Sequence, residues 1–157
     1  MPKKIITEFD AIAIDFLPKA AIIRFNRPEI KNPLSLSTLA ELERALELLQ
    51  TEENITTVIF TGSGDTFASG ADLREVSKLK PHAARIFGRR GQNLMQRIYN
   101  SGKFPVAAID GFCMGGAFDL ALSCRRRVAS PRSVLAHPGA SLGILTGWSG
   151  TQRLPRL

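Results

Sequence analysis

Two glycine-containing loops, each following an apolar strand, carry the residue types needed to hold a developing oxyanion. The first is Thr66-Phe-Ala-Ser69-Gly70-Ala71-Asp72-Leu73-Arg74, after the apolar run Thr57–Thr61. The second is Asp110-Gly-Phe-Cys-Met-Gly115-Gly116-Ala-Phe-Asp119, after Phe104–Ile109. Two such turns can aim two backbone N–H groups at one oxygen. Preorganised donors of that kind contribute about 3–4 kcal/mol each where negative charge develops. Glycine at 115 and 116 lets the backbone approach a ligand with no Cβ in the way. The helix that follows adds positive potential at its N-terminus. Asp119 lies about one helical turn further on, within reach of a proton-transfer role. Close strand–helix packing is a second reason for paired glycines, and the motif alone fits both.

The elements that must position these loops are visible as patterns. Ala11–Asp15 and Ala20–Phe25 read as strands, with a turn at Pro18-Lys19. Between Ser35 and Gln50, Leu39, Leu42, Leu46 and Leu49 fall three and four apart, which predicts one apolar helix stripe capped by Ser35 or Ser37. Thr57–Thr61 reads as a short strand. The polar stretch from Gly62 to about Lys80 is longer than a plain connector, as functional loops are. Pro81 suits a helix start, and Phe87, Gly91, Leu94 and Ile98 keep helical spacing up to Ser101. Phe104–Ile109 is nearly all apolar, as expected inside a parallel sheet. Gly116–Ser123 predicts a short buried helix, and Arg127–Ala129 and Val134–Ala136 two short strands. This alternation predicts α/β layering with helices on largely parallel strands.

A chain of 157 residues is long enough for one domain, 1–157, with a real core. No apolar run reaches the roughly 18 residues of a membrane span. Met1–Asp10 has no apolar h-region, so no secretory leader and a cytoplasmic setting are expected. Cys113 and Cys124 read as buried free thiols without metal spacing. The net charge of +7 and pI near 10.0 favour an anionic partner: nucleic acid, a membrane surface or a phosphate-bearing cofactor. Arg125-Arg126-Arg127 and Arg89-Arg90 are the densest clusters. Solvated surface and complementing a helix dipole are their alternative readings. No nucleic-acid motif or interleaved aromatic accompanies them.

Four ordered motifs carry a resemblance that covers about Ala20 to Leu157. They are Ile23-Arg-Phe-Asn-Arg-Pro28, Phe67-Ala-Ser-Gly-Ala-Asp-Leu73, Pro105-Val-Ala-Ala-Ile-Asp-Gly-Phe-Cys-Met-Gly-Gly116 and Gly150-Thr-Gln-Arg-Leu154. In these the chain resembles the crotonase superfamily of enoyl-CoA hydratases and isomerases. The resemblance implies a crotonase-like α/β spiral of repeated strand–strand–helix turns and the acyl-CoA chemistry of fatty acid metabolism. It implies no permanently bound cofactor, with coenzyme A arriving as part of the substrate. Ala71 and Gly116 take the positions of the oxyanion donors. Ser69, Gly70, Ala71, Asp72, Leu73 and Arg74 would line the adenine and the bound thioester. Arg27 or Lys31 would meet CoA phosphates. A homo-oligomer, trimer or dimer of trimers, is expected with no membrane partner.

The departures bear on the reaction. Hydratases of the superfamily use two glutamates. Asp119 stands at the first position, one methylene shorter. In Ala136-His137-Pro138-Gly139-Ala140, Gly139 stands at the second. The two-carboxylate hydration mechanism is thus not open to this sequence. Asp119 reads as an acid–base group or as a structural acid at a helix start. His137 reads as a second acid–base group or as a packed side chain. Trp148 reads as a wall of the acyl pocket or as plain core. Relatives continue past the Gly-Thr-Gln-Arg-Leu segment with helices over the acyl site, a region expected to be absent here. The expected function is an acyl-CoA enzyme stabilising a thioester enolate by hydration, isomerisation or a related lyase step. A non-catalytic acyl-CoA-binding or interaction protein is the alternative that Gly139 favours, ahead of nucleic-acid binding.

Overall fold

The structure is a computed structural model describing residues 9–157. The expectation of no secretory leader therefore falls mostly outside the described residues. Successive turns of chain lay one strand in a large sheet and one in a smaller layer, then a helix on the outside. The large sheet has five strands in the order β1 (Ile12–Phe16), β2 (Ala20–Phe25), β4 (Thr57–Thr61), β7 (Phe104–Ile109) and β9 (Arg126–Ala129). Only the β1–β2 pair is antiparallel. Alternate residues of β2 and β4 are buried, which is the period-2 pattern that seats one strand face on a core. A second sheet stacks β5 (Thr66–Ala68), β8 (Phe112–Met114) and β10 (Val134–Ala136) in parallel. A two-stranded ladder joins β3 (Pro33–Leu34) to β6 (Gly70–Ala71).

Helix α1 (Leu36–Thr51) forms where the leucine stripe predicts it. Ser35 caps it, its Oγ accepting from Thr38 N at 3.2 Å, and Leu39, Leu42, Leu46 and Leu49 are all buried. Helix α3 (Pro81–Tyr99) buries Gly91, Leu94, Met95 and Ile98. A bidentate Arg90–Glu43 pair, 2.8 and 2.9 Å, ties it to α1. Helix α4 (Gly116–Ser123) is buried along most of its length. The first strand begins and ends one residue later than the sequence suggests.

The Gly62–Lys80 stretch is not one loop. It is divided into β5, β6 and α2 (Leu73–Val76), two- to four-residue elements too short to leave a periodic pattern in the sequence. Helix α2 starts on Asp72, whose Oδ1 accepts from Arg74 N at 2.9 Å. The last short helix is α5 (Gly150–Arg153). The arginine run is largely engaged with the fold. Arg127 donates to the carbonyls of Ala121 and Cys124 at the end of α4, complementing its dipole. Arg125 and Arg153 both lie over the Tyr99 ring, at 5.2 and 4.7 Å from its centroid. Both cysteines are free and buried. Among the described residues no helix is long and apolar enough to cross a membrane.

Candidate active site

The two glycine loops meet at one edge of the sheets. Gly70 has φ +90°, a conformation that L side chains rarely adopt, and a Cβ there would lie 2.5 Å from Met114 O and 3.1 Å from Gly116 N. The first loop is therefore pressed against the turn that opens α4. In that turn Gly115, at φ 53° and ψ −119°, redirects the chain, and its N–H is held by Ala136 O at 2.8 Å. Gly116 N–H is the first of α4 and has no acceptor inside the helix. The phase of the β3–β6 ladder matters for Ala71. Pro33 has no N–H, so the Pro33/Gly70 pairing runs through the Gly70 N–H and C=O. The alternate residue, Ala71, then turns its N–H away from β3.

Ala71 and Gly116 both line a cavity of about 270 Å³ whose walls are mostly apolar. Ser69, Gly70, Ala71, Leu73, Gly116, Asp119, His137 and Trp148 all line it, as does Gly139. Asp72 and Arg74 do not. They pair with each other, Arg74 Nη2 to Asp72 Oδ2 at 2.8 Å and Nε to Oδ1 at 3.0 Å, and build the start of α2. That pairing holds the Asp72 carboxyl below its ordinary range. Arg27 pairs with Asp10, and Lys31 with Asp65 at 2.9 Å, so neither stands as an unpartnered cation.

Among the described residues, Asp119 and His137 are the only ionisable side chains on the cavity wall. His137 Nε2 lies 2.8 Å from Asp119 Oδ1, and the Trp148 N–H donates to Oδ2 at 3.2 Å. The Asp119 side chain is 2% exposed and that of His137 15%. Burial pushes the Asp119 carboxyl up, while the bond and charge of His137 and the backbone amides of Trp148 and Gly150 pull it down. Burial prevails, which keeps the proton affinity of this carboxyl above that of a free aspartate. The Phe118 ring lies against the imidazole, centroids 4.8 Å apart and 30° between planes.

Trp148 is 3% exposed and fits where two glycines leave room. A Cβ on Gly91 of α3 would fall 2.1 Å from its indole, and one on Gly116 2.5 Å. Phe87 tilts against it at 5.2 Å. The sequence analysis missed the α3 wall, yet Ala84, Phe87 and Gly88 sit at helical spacing with Gly91 and turn the same way. It also missed Gly150, where a Cβ would be 2.1 Å from Asp119 Oδ1. Gly139 is crowded too. Its Cβ would meet Ile144 O at 2.9 Å, and Ile144 N–H already donates to Gly139 O at 2.8 Å.

Comparison with known proteins places this arrangement. The model of the enoyl-CoA hydratase/isomerase family matches residues 18–157. The crotonyl-CoA hydratase of Syntrophomonas wolfei is 37% identical over 150 residues, covering 95% of this chain and 58% of the relative. The short-chain-enoyl-CoA hydratase of Clostridium acetobutylicum is 34% identical, covering 96% and 58%. The crystal structure of an enoyl-CoA hydratase from Bacillus anthracis superposes with a TM-score of 0.90 at 35% identity, over 94% of this chain and 58% of that one. The chain thus spans a little under three fifths of the length of these relatives.

Proposed function

Because the chain belongs to the enoyl-CoA hydratase/isomerase family and has the crotonase fold, we propose that it binds an acyl-CoA thioester and stabilises its enolate in the cavity described above. One observation carries the reading: Ala71, Gly116 and, among the described residues, the only ionisable pair on the wall line the same apolar space. In this reading the Ala71 and Gly116 N–H groups hold the thioester oxygen, and Trp148, Phe87 and Ile144 take the acyl chain. Acid–base chemistry falls to Asp119 and His137. In isomerisation an α-proton passes to the pair, its electrons move onto the thioester oxygen, and the proton returns at the γ-carbon. In hydration a water oxygen bonds the β-carbon, its proton passes to the pair, and the α-carbon is protonated. Either cycle balances with one mobile proton, which is what one acid–base pair can supply. The names of the relatives, crotonyl-CoA and short-chain-enoyl-CoA hydratases, favour a short enoyl thioester.

A turnover screen over 2-enoyl- and 3-enoyl-CoA thioesters tests this reading, with binding followed through Trp148, the chain's single tryptophan. Quenching by CoA esters without turnover or α-proton exchange would favour the second reading, a non-catalytic acyl-CoA-binding protein. Gly139 at the second carboxylate position supports that reading. Nucleic-acid binding has less support, because Arg90, Arg125, Arg127 and Arg132 all have partners within the fold. Val128, Leu145 and Leu157 are 63%, 86% and 74% exposed, which supports assembly into a homo-oligomer, trimer or dimer of trimers. A monodisperse monomer by light scattering at micromolar concentration counts against assembly.

A further inference from the structure

The enolate reading leaves open which member of the pair carries the proton. We propose that His137 Nδ1 is the atom that exchanges protons with the substrate, and that Asp119 is a positioning residue that fixes the imidazole tautomer. The proposal rests on the enolate reading and deepens it.

Three observations lead to it. First, both Asp119 oxygens are occupied, Oδ1 by His137 Nε2 at 2.8 Å and Oδ2 by the Trp148 N–H at 3.2 Å. A backbone amide always donates, so Oδ2 is committed as an acceptor. Second, His137 Nδ1 makes no hydrogen bond to any described residue. Among the described residues the sealed side-chain polar atoms without a partner are Ser101 Oγ and Arg153 Nε. Nδ1 is not one of them, and the His137 side chain keeps 15% exposure and lines the cavity. Third, position 139 is closed to a carboxylate. Its Cβ would press on Ile144 O at 2.9 Å. Among the described residues, no ionisable side chain other than Asp119 shares the cavity wall with His137. With Asp119 accepting, His137 keeps its proton on Nε2 and presents the Nδ1 lone pair. An imidazole oriented by a buried carboxylate is well suited to moving a proton near neutral pH.

Asp119→Asn has a specific consequence. The amide must turn its NH2 away from the Trp148 N–H and toward His137. The imidazole then accepts at Nε2 and carries its proton on Nδ1, the wrong tautomer for a base facing the cavity. That switch follows from the hydrogen bonds alone, so the exchange rate, not the tautomer, shows whether the orientation serves proton transfer.

Two measurements on the full chain test the proposal. The first is 15N NMR of labelled histidines, assigned with His82→Gln, since the chain has two histidines. The expected signature is an Nε2–H tautomer for His137, converted to Nδ1–H by Asp119→Asn. An Nδ1–H tautomer in the parent overturns the proposal, whether or not the variants fold. The second is exchange of the α-proton of butyryl-CoA in D2O, read by proton NMR. His137→Gln is expected to slow exchange about 10²–10⁴-fold with circular dichroism unchanged. A parent that exchanges no α-proton overturns the enolate reading itself. A parent that exchanges while His137→Gln matches it overturns only the assignment to His137.

Discussion

Gly150→Ala puts a methyl group into the contact on which the site depends. The added Cβ would stand 2.1 Å from Asp119 Oδ1, 2.5 Å from Thr146 Cγ2 and 2.8 Å from His137 Nε2. Ordinary contact begins near 3.4 Å, so the carboxylate must retreat by about 1.3 Å or the start of α5 must lift. Either movement is large against a hydrogen bond of 2.8 Å, because such bonds weaken steeply when stretched or bent. Overpacking of this kind costs about 1–3 kcal/mol. Loss of a positioned acid–base group costs about 10²–10⁴-fold in rate. The expected result is a lower urea midpoint together with a rate loss of at least 10²-fold in α-proton exchange. The Ala71 and Gly116 amides are untouched, so ester binding read by Trp148 quenching should weaken far less than turnover. A variant with parental midpoint and exchange within twofold of the parent would refute the reasoning. The methyl would then have found room, or the Asp119–His137 contact would not be what activity depends on.

Gly139→Glu alone is expected to disturb the Gly139–Ile144 closure, lowering thermal stability without raising crotonyl-CoA hydration above the parent; a gain in that hydration at unchanged Tm would count against this account of the loop. Asp72→Ala removes the cap of α2 and should cost about 1 kcal/mol in urea unfolding at neutral pH. Because the Asp72 carboxyl is lowered in the fold, chiefly by its bond to Arg74, its contribution is present above about pH 4 and lost as pH falls through the lowered value. The parent–variant difference should therefore shrink in acid, and a difference that grows instead would contradict the assignment. Burial pushes the Cys113 and Cys124 thiols up to about 12, so neither should react with Ellman's reagent at pH 8 until denaturant is added. Rapid labelling of the native protein would show the core around them to be open.

What could be read in the sequence was whatever repeats with a period. The leucine stripe of α1, the apolar runs of β4 and β7 and the spacing in α3 are patterns that a sheet and its covering helices impose over five or more residues. The elements β3, β6 and α2 are two to four residues long, too short for any period. They exist because β3 and β6 pair across the chain and because Asp72 turns back on Arg74. The same limit applied to the site. Ala71 and Gly116 were visible through the ordered motifs and Asp119, His137 and Trp148 as chemistry-bearing types outside them, and all five share one cavity. Asp72 and Arg74 belong to the same motif but serve the local turn. Gly91 and Gly150 could not be singled out, because a glycine chosen for close approach is defined by the side chain facing it.

Trp148 links these features into one arrangement. Its ring occupies the space left by the missing side chains of Gly91 and Gly116, so α3, α4 and the 143–149 segment meet on a single residue. Its backbone N–H holds Asp119 Oδ2. The same segment is tied to α3 by Gln92 Nε2 donating to Gly147 O at 2.8 Å, and to position 139 by the Ile144 N–H. The wall of the acyl space and the orientation of the carboxylate are thus set by one piece of backbone. A side chain at 139 would push on that backbone at Ile144, and through it on Trp148 and Asp119. Glycine at 139 and the buried tryptophan nine residues later are then parts of one packing solution. In it, glycine at 139 lets the segment close, Trp148 seats the carboxylate, and His137, the remaining ionisable group, faces the cavity.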